Sequence, residues 1–95
     1  MKVVWTDNAV EQLWAIHDYI AQNSPEYARR TVDRITRRSQ QISAFPLSGR
    51  MVPEYEMPQI REVIEGTYRI IYSIKLDQID VLTVIHQAQR TPWNP

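Results

Sequence analysis

Four arginines in the second half of the sequence could bind or stabilise negative charge: Arg50, Arg61, Arg69 and Arg90. The planar guanidinium group matches the geometry of phosphate and carboxylate. If Arg61 and Arg69 point to the same face of a sheet, a concave cationic site forms beside His86 and Arg90. Such a site could hold phosphate or stabilise a developing negative charge. The alternative is ordinary strand charge, paired with a carboxylate such as Glu62.

Proton transfer at such a site would need an acid and a base. His86 is the better histidine for this role because it ends the last apolar run, whereas His17 lies on an apolar helix face and suits packing. Glu54, Glu56 and Glu62 are further candidate bases. The two histidines lack ligand spacing and cysteine is absent, so we predict no metal site. With two glycines and no phosphate-binding loop, we predict no cofactor.

A second set of arginines follows Ser24-Pro25 at helical spacing: Arg29, Arg30, Arg34, Arg37 and Arg38. At about 100° per residue, four of the five lie opposite the apolar stripe within an arc of roughly 100°. We interpret this set as a solvated face that keeps the helix soluble. The alternative is a patch for phosphate or for an acidic partner.

The elements that must position these residues indicate an α+β fold. Lys2 to Trp5 is a β-branched and aromatic run that predicts a strand, and Thr6 or Asp7 can cap the helix that follows. A second helix begins at Ser24-Pro25, too close to the first for anything but an antiparallel hairpin. We expect Pro46 to end it.

The second half predicts three strands in an antiparallel meander: Ile60 to Glu65, Tyr68 to Lys75 and Ile79 to His86. The last is apolar on both faces, so we expect it inside the sheet. The segment from Phe45 to Gln59 is a long proline-rich connection. It is either functional or an extended segment along the sheet edge.

Composition limits the classes open to this protein. The chain has 95 residues, zero formal net charge and 43% hydrophobic residues, which indicates one small globular domain. No apolar run approaches the roughly 20 residues of a membrane helix, and the start does not read as a signal peptide. The absence of cysteine fits a reducing compartment. We therefore expect a cytoplasmic protein.

Taken in order, short stretches along nearly the whole chain resemble the RelE/ParE family of bacterial toxins from toxin–antitoxin systems. They are Val4-Trp5-Thr6, Tyr19-Ile20-Ala21, Ser24-Pro25, Pro46-Leu47-Ser48-Gly49-Arg50, Arg61-Glu62, Tyr68-Arg69-Ile70-Ile71-Tyr72 and Val84-Ile85-His86 with Arg90. The resemblance implies a β-α-α-β-β-β order, with the helical hairpin packed on a small sheet. It also implies a cognate antitoxin as partner, for which the first helix offers Val10, Trp14 and His17.

The resemblance implies one of two targets. The ribonuclease branch cuts messenger RNA on the ribosome, and here it would use Arg61, Arg69 and His86. The ParE branch inhibits DNA gyrase. Carboxylates beside Arg61 would repel a scissile phosphate, and no tyrosine follows Tyr72, so we favour a gyrase inhibitor that causes growth arrest and plasmid stabilisation.

The alternatives are the mRNA endonuclease and an inactive member that only binds antitoxin. In either toxin, the expected functional surface combines His86 and Trp93 with the four arginines of the second half of the sequence: Arg50, Arg61, Arg69 and Arg90. We expect the tail after His86 to contribute to toxicity rather than to folding, because it carries Arg90 and Trp93, residue types that commonly anchor interfaces.

Overall fold

The computed structural model describes residues 1–89, so the predictions for Arg90 and Trp93 lie outside the described residues. It contains two helices and five strands: β1 (Lys2–Trp5), α1 (Asp7–Ala21), α2 (Pro25–Gln41), β2 (Arg50–Met51), β3 (Ile60–Glu65), β4 (Tyr68–Ile74) and β5 (Gln78–His86). The predicted α+β class and the helical hairpin are confirmed. No helix within residues 1–89 is both long and apolar enough to cross a membrane.

Both helices begin where their capping residues predict. The Thr6 hydroxyl accepts a hydrogen bond from the Ala9 N–H, and the Ser24 hydroxyl accepts one from the Tyr27 N–H. The expected end of the second helix was wrong. α2 ends at Gln41, and Pro46 instead begins a 3₁₀ turn, Pro46–Ser48, where its missing N–H has no cost.

The strands form one sheet in the order β1-β5-β4-β3-β2. The meander β3-β4-β5 is antiparallel, and β5 lies inside the sheet, both as predicted. β1 pairs with β5 in parallel, so the sheet is mixed. The short edge strand β2 was not predicted as a strand. It forms where part of the Phe45–Gln59 connection pairs with β3, which agrees with the alternative that this connection runs along the sheet edge.

Both faces of the sheet are covered. On one face, the helices pack on a cluster that includes Leu13, Ile35, Ile70 and Tyr72. On the other face lies a second apolar cluster: Val52, Ile60, Ile71, Leu82 and Ile85, with Tyr55 and Met57 packed against it. The proline-rich connection therefore both extends the sheet edge and closes the second face.

Candidate functional site

A row of charged side chains crosses the face of the sheet opposite the helices. Arg50 on β2 pairs in register with Glu62 on β3, and Arg69 on β4 lies on the same face because it alternates with Ile70. Arg50 Nε donates to Glu62 Oε2 at 2.7 Å, and Arg69 Nε donates to Glu62 Oε1 at 2.7 Å. The Glu62 side chain, which is 0% exposed, therefore joins two arginines.

The connection before β3 supplies a second carboxylate to Arg69. Its Nη1 and Nη2 donate to the two carboxylate oxygens of Glu54 at 2.9 and 3.0 Å, and Nη1 also donates to the Gln89 carbonyl at 3.0 Å. The hydrogen bonds to Glu54 raise the pKa of Arg69 above its ordinary value, against burial and with help from Glu62. We call Arg50, Glu54, Glu62 and Arg69 the ion cluster.

The ion cluster is electrically balanced, with two arginines against two glutamates. Each of the three guanidinium nitrogens of Arg69 contacts a carboxylate oxygen. A cleft of about 270 Å³ opens beside Arg69, lined also by Pro53, Glu54 and the segment 87–89. A phosphate entering this cleft would meet the Glu54 carboxylate together with Arg69. The arrangement is therefore suited to holding the connection on the sheet, and poorly suited to binding an anion.

The predicted meeting of Arg61 with Arg69 does not occur. Arg61 pairs in register with Tyr72, which places it on the helix-covered face, whereas Arg69 faces the other way. Arg61 donates instead to backbone carbonyls, from Nη1 to Gly49 at 2.9 Å and from Nε to Pro58 at 3.1 Å. The concave site that was conditional on a shared face is thus wrong, because strand alternation separates the two guanidiniums.

His86 is also separated from Arg69. It pairs with Tyr68, and their rings meet edge-on with centroids 6.0 Å apart. The side chain is exposed, and its Nδ1 accepts a hydrogen bond from the Ala88 N–H at 3.1 Å. Arg61 pairs four residues further along β4 than His86 does, and it lies on the opposite side of β4, so their backbones are roughly 13 Å apart along the strands and about 10 Å apart across them, about 16 Å in all. The three residues of the expected nuclease set therefore share no site.

His86 instead lines a groove of about 420 Å³ between α1 and the ends of β4 and β5. Its walls include Ile16, Tyr19, Tyr68 and Val84, and Tyr19 is 75% exposed. Burial raises the pKa of the Tyr68 hydroxyl above its ordinary value. The groove is mainly apolar with a few polar rims, which suits a polypeptide side chain better than a phosphate.

Comparison with known proteins identifies the family. A family model described as the ParE toxin of the type II toxin–antitoxin system parDE matches residues 3–91. This chain belongs to the ParE toxin family. Toxin RelE2 of Caulobacter vibrioides is 32% identical over 89 residues, covering 93% of this chain and 97% of that protein. The protein Y4kP of Sinorhizobium fredii is 32% identical over 93 residues, covering 96% and 93%.

The fold agrees with the same family. A chain of the chromosomal ParDE toxin–antitoxin system from P. aeruginosa superposes with a TM-score of 0.75 at 25% identity, covering 90% of this chain and 95% of that chain. The predicted resemblance to the RelE/ParE toxins and the predicted fold class are therefore confirmed. The chain is a type II toxin–antitoxin toxin by family.

The three residues that we expected to bind a partner lie along α1 of this ParE-family toxin. Val10 and Trp14 are 39% and 53% exposed, so two apolar side chains face solvent. The His17 ring meets the Trp14 ring edge-on at 5.3 Å, and its Nδ1 lies 3.0 Å from Asp18 Oδ1. His17 is partly buried and supports Trp14, rather than forming an apolar contact surface of its own.

The sequence named Glu54 only as a candidate base, and its pairing with Arg69 was not foreseen. Pairing of a strand arginine with Glu62 was stated as the alternative to an anion site, without identifying Arg69 as the arginine that Glu62 binds. The two-residue turn Gly66-Thr67 could have revealed it, because such a turn pairs Glu65 with Tyr68 and so fixes the register of the whole hairpin. Within residues 1–89 of the toxin, no three histidine or acidic side chains converge to hold a metal ion.

Proposed function

We propose that this toxin arrests growth by inhibiting DNA gyrase, and that a cognate antitoxin neutralises it. Membership of the ParE family supports the proposal. The observation that carries it is the balanced ion cluster around the buried Arg69: the strand arginine that an RNA-cleaving member would use is occupied by Glu54 and Glu62.

Cleavage of RNA requires a base for the 2′-hydroxyl, cations for the phosphate and an acid for the leaving oxygen, all within hydrogen-bonding distance of one phosphate. Here Arg69 faces away from Arg61 and His86. Losing one acid–base group typically lowers a rate about 10²–10⁴-fold, so such a scattered set would be a very weak nuclease. A gyrase inhibitor needs only a surface that holds one state of its target.

The test compares both targets with the same purified toxin. Supercoiling of relaxed plasmid by gyrase should be blocked, and ribosome-bound mRNA should remain uncut. His86→Ala should lower gyrase inhibition less than it would lower the activity of a nuclease, because inhibition requires no proton transfer by the exposed imidazole. Toxin preincubated with antitoxin is the control and should leave supercoiling intact.

Two results would contradict the proposal. Defined mRNA cuts that disappear in His86→Ala would establish the endonuclease in its place. A folded toxin that binds antitoxin but affects neither target would identify an inactive member of the family.

The antitoxin is expected to cover the groove beside α1 and to extend across the outer face of that helix to the exposed Trp14, which lies about 150° around α1 from the side chains that line the groove. Apolar grooves beside helices commonly receive an amphipathic helix or extended segment of a partner. At antitoxin concentrations 100-fold above Kd, binding should stabilise the toxin by about 2.7 kcal/mol.

Thermal melting with and without antitoxin measures this stabilisation. Trp14→Ser should reduce it, whereas Leu76→Ser should not, although Leu76 in the β4–β5 turn is 99% exposed. An unchanged melting temperature at saturating antitoxin, or equal losses in the two variants, would refute this assignment of the surface.

A further inference from the structure

The two helices of the hairpin carry opposite charge. α2 contains five arginines against Glu26 and Asp33, which gives it a net charge of +3. α1 contains three acids, Asp7, Glu11 and Asp18, and neither lysine nor arginine, which gives it −3. The neutral total of the chain therefore hides a strong local separation of charge. Such a separation orients a charged partner toward one helix and away from the other.

Three of the α2 arginines form one row along the helix. Arg30, Arg34 and Arg38 lie four residues apart, so each is about 6 Å further along the axis and the row spans about 12 Å. Arg30 and Arg34 are exposed and Arg38 is partly exposed. We call these three residues the arginine row. Glu26 precedes Arg30 by four residues and so continues the line of the row at its N-terminal end, and Asp33 lies about 60° around the helix from Arg30.

The arginine row has no carboxylate partner in the part of the chain that the structure describes. Arg38 Nη1 donates to the neutral Gln41 Oε1 at 3.4 Å. The basic members of the ion pairs found within residues 1–89 are His17, Arg50 and Arg69, and none of them belongs to the row. Glu65 lines a small cleft together with Arg34 but forms no ion pair with it. The row thus differs from the ion cluster, in which each arginine is neutralised.

The surroundings of the row favour phosphate over protein. Protein interfaces have apolar cores that are depleted in charge. The apolar side of α2 is turned inward, with Ala28 and Ile35 fully buried, and the outward side around the row is charged or polar except for Tyr27, which is 48% exposed. Arginine binds phosphate through paired N–H donors, and most contacts to DNA are made with its backbone rather than with bases.

We propose that the arginine row is a contact surface for the phosphate backbone of duplex DNA. The row touches about three phosphates and reads no sequence, while the acidic α1 keeps its apolar groove turned away from the nucleic acid. In the gyrase-bound state, this contact would add DNA affinity to the protein contact. It does not depend on gyrase, because the surface belongs to the toxin alone.

The test measures fluorescence anisotropy of a labelled 20-base-pair DNA duplex titrated with the full-length toxin. With three phosphate contacts, the logarithm of the association constant should fall with the logarithm of the salt concentration at a slope of about −2.7. The affinity should therefore drop about 40-fold between 50 and 200 mM salt. The variant Arg30→Gln/Arg34→Gln/Arg38→Gln should lose this slope. The matched control Lys2→Gln/Arg29→Gln/Lys75→Gln removes the same charge from exposed sites outside the row, one of them on α2 itself, and should retain the slope.

Circular dichroism and melting temperature establish that both triple variants are folded. Equal losses in the row variant and the control would show that only total charge matters, and would overturn the proposal. A wild-type slope near zero would do the same, and tighter binding of an RNA duplex at equal salt would overturn the choice of DNA. No gyrase is present in this assay, so its failure and that of gyrase inhibition are distinguishable.

Discussion

Replacing Glu62 by glutamine tests whether the ion cluster holds the fold together. The substitution keeps the shape of the side chain but removes the charge that Arg50 and Arg69 share. Glu62 is 0% exposed in its side chain and Arg69 only 6%, so water cannot replace the lost carboxylate. Arg69 would retain its contact with Glu54, which is partly exposed.

The magnitude follows from the geometry. Removing one member of a buried ion pair costs about 3–5 kcal/mol, mainly because the remaining charge is left uncompensated. Since Arg69 keeps one carboxylate, we expect the lower end, about 3 kcal/mol. Arg50 adds little, because its side chain is 65% exposed and solvent screens its pair with Glu62. In a domain of this size, such a loss lowers the melting temperature by about 12–24 °C.

Thermal and urea denaturation of three variants checks the reasoning. Glu62→Gln should show the large loss. Glu65 lies on the same strand and forms no ion pair within residues 1–89, so Glu65→Gln should change stability by less than about 1 kcal/mol, and so should Arg50→Gln. If Glu62→Gln melts within a few degrees of the wild type, or if Arg50→Gln is as damaging, the buried Arg69–Glu62 pair is not the stabilising element.

Three further predictions concern the connection that closes the second face. Tyr72→Phe should cost about 1–3 kcal/mol, because the hydroxyl donates to the Pro46 carbonyl at 2.7 Å and accepts from the Gly49 N–H at 3.1 Å; urea denaturation measures the loss. Burial raises the pKa of Tyr72 above its ordinary value, so the unfolded chain loses this proton first. Stability should therefore fall as the pH rises above about 10, and less steeply in Tyr72→Phe, as denaturation across pH will show. Glu56→Gly should stabilise the fold by about 0.5–1 kcal/mol in the same assay, because Glu56 has a φ of 53°; a loss of stability would mean that its side chain outweighs the strain.

Local signals predicted most of the fold. The caps at Thr6 and Ser24 and the alternation of β4 are decided by neighbouring residues, so single-sequence reasoning located the helix starts and the three-stranded meander. β2 escaped because two residues carry no periodicity, and it forms only by pairing with β3. The parallel partner of β1 is likewise a long-range choice, with Lys2 opposite Gln78.

The candidate site was harder to predict, because it depends on which face each side chain occupies. Arg61 and Arg69 are eight residues apart, an even separation that would give a shared face on one continuous strand. They lie on two strands joined by a turn, and the register pairs Arg69 with Ile64. Ile64 is three residues from Arg61, an odd separation, so Arg61 and Arg69 lie on opposite faces of the sheet. The closure of the second face by Val52 and its neighbours carries no comparable local signal.

That closure also determines what Arg69 can do. On an open sheet face, a strand arginine is available to phosphate, and a nearby histidine or glutamate could serve it as a proton carrier. Here Val52, Tyr55 and Met57 pack over the face, and Glu54 and Gln89 bind the guanidinium. Arg69 is buried, and a buried guanidinium requires a carboxylate partner. Glu54 is brought to Arg69 by the same packed segment. The chemistry of this position is therefore controlled by the connection before β3 rather than by the strand that carries the arginine, and the presence of an arginine on β4 is by itself no sign of catalysis.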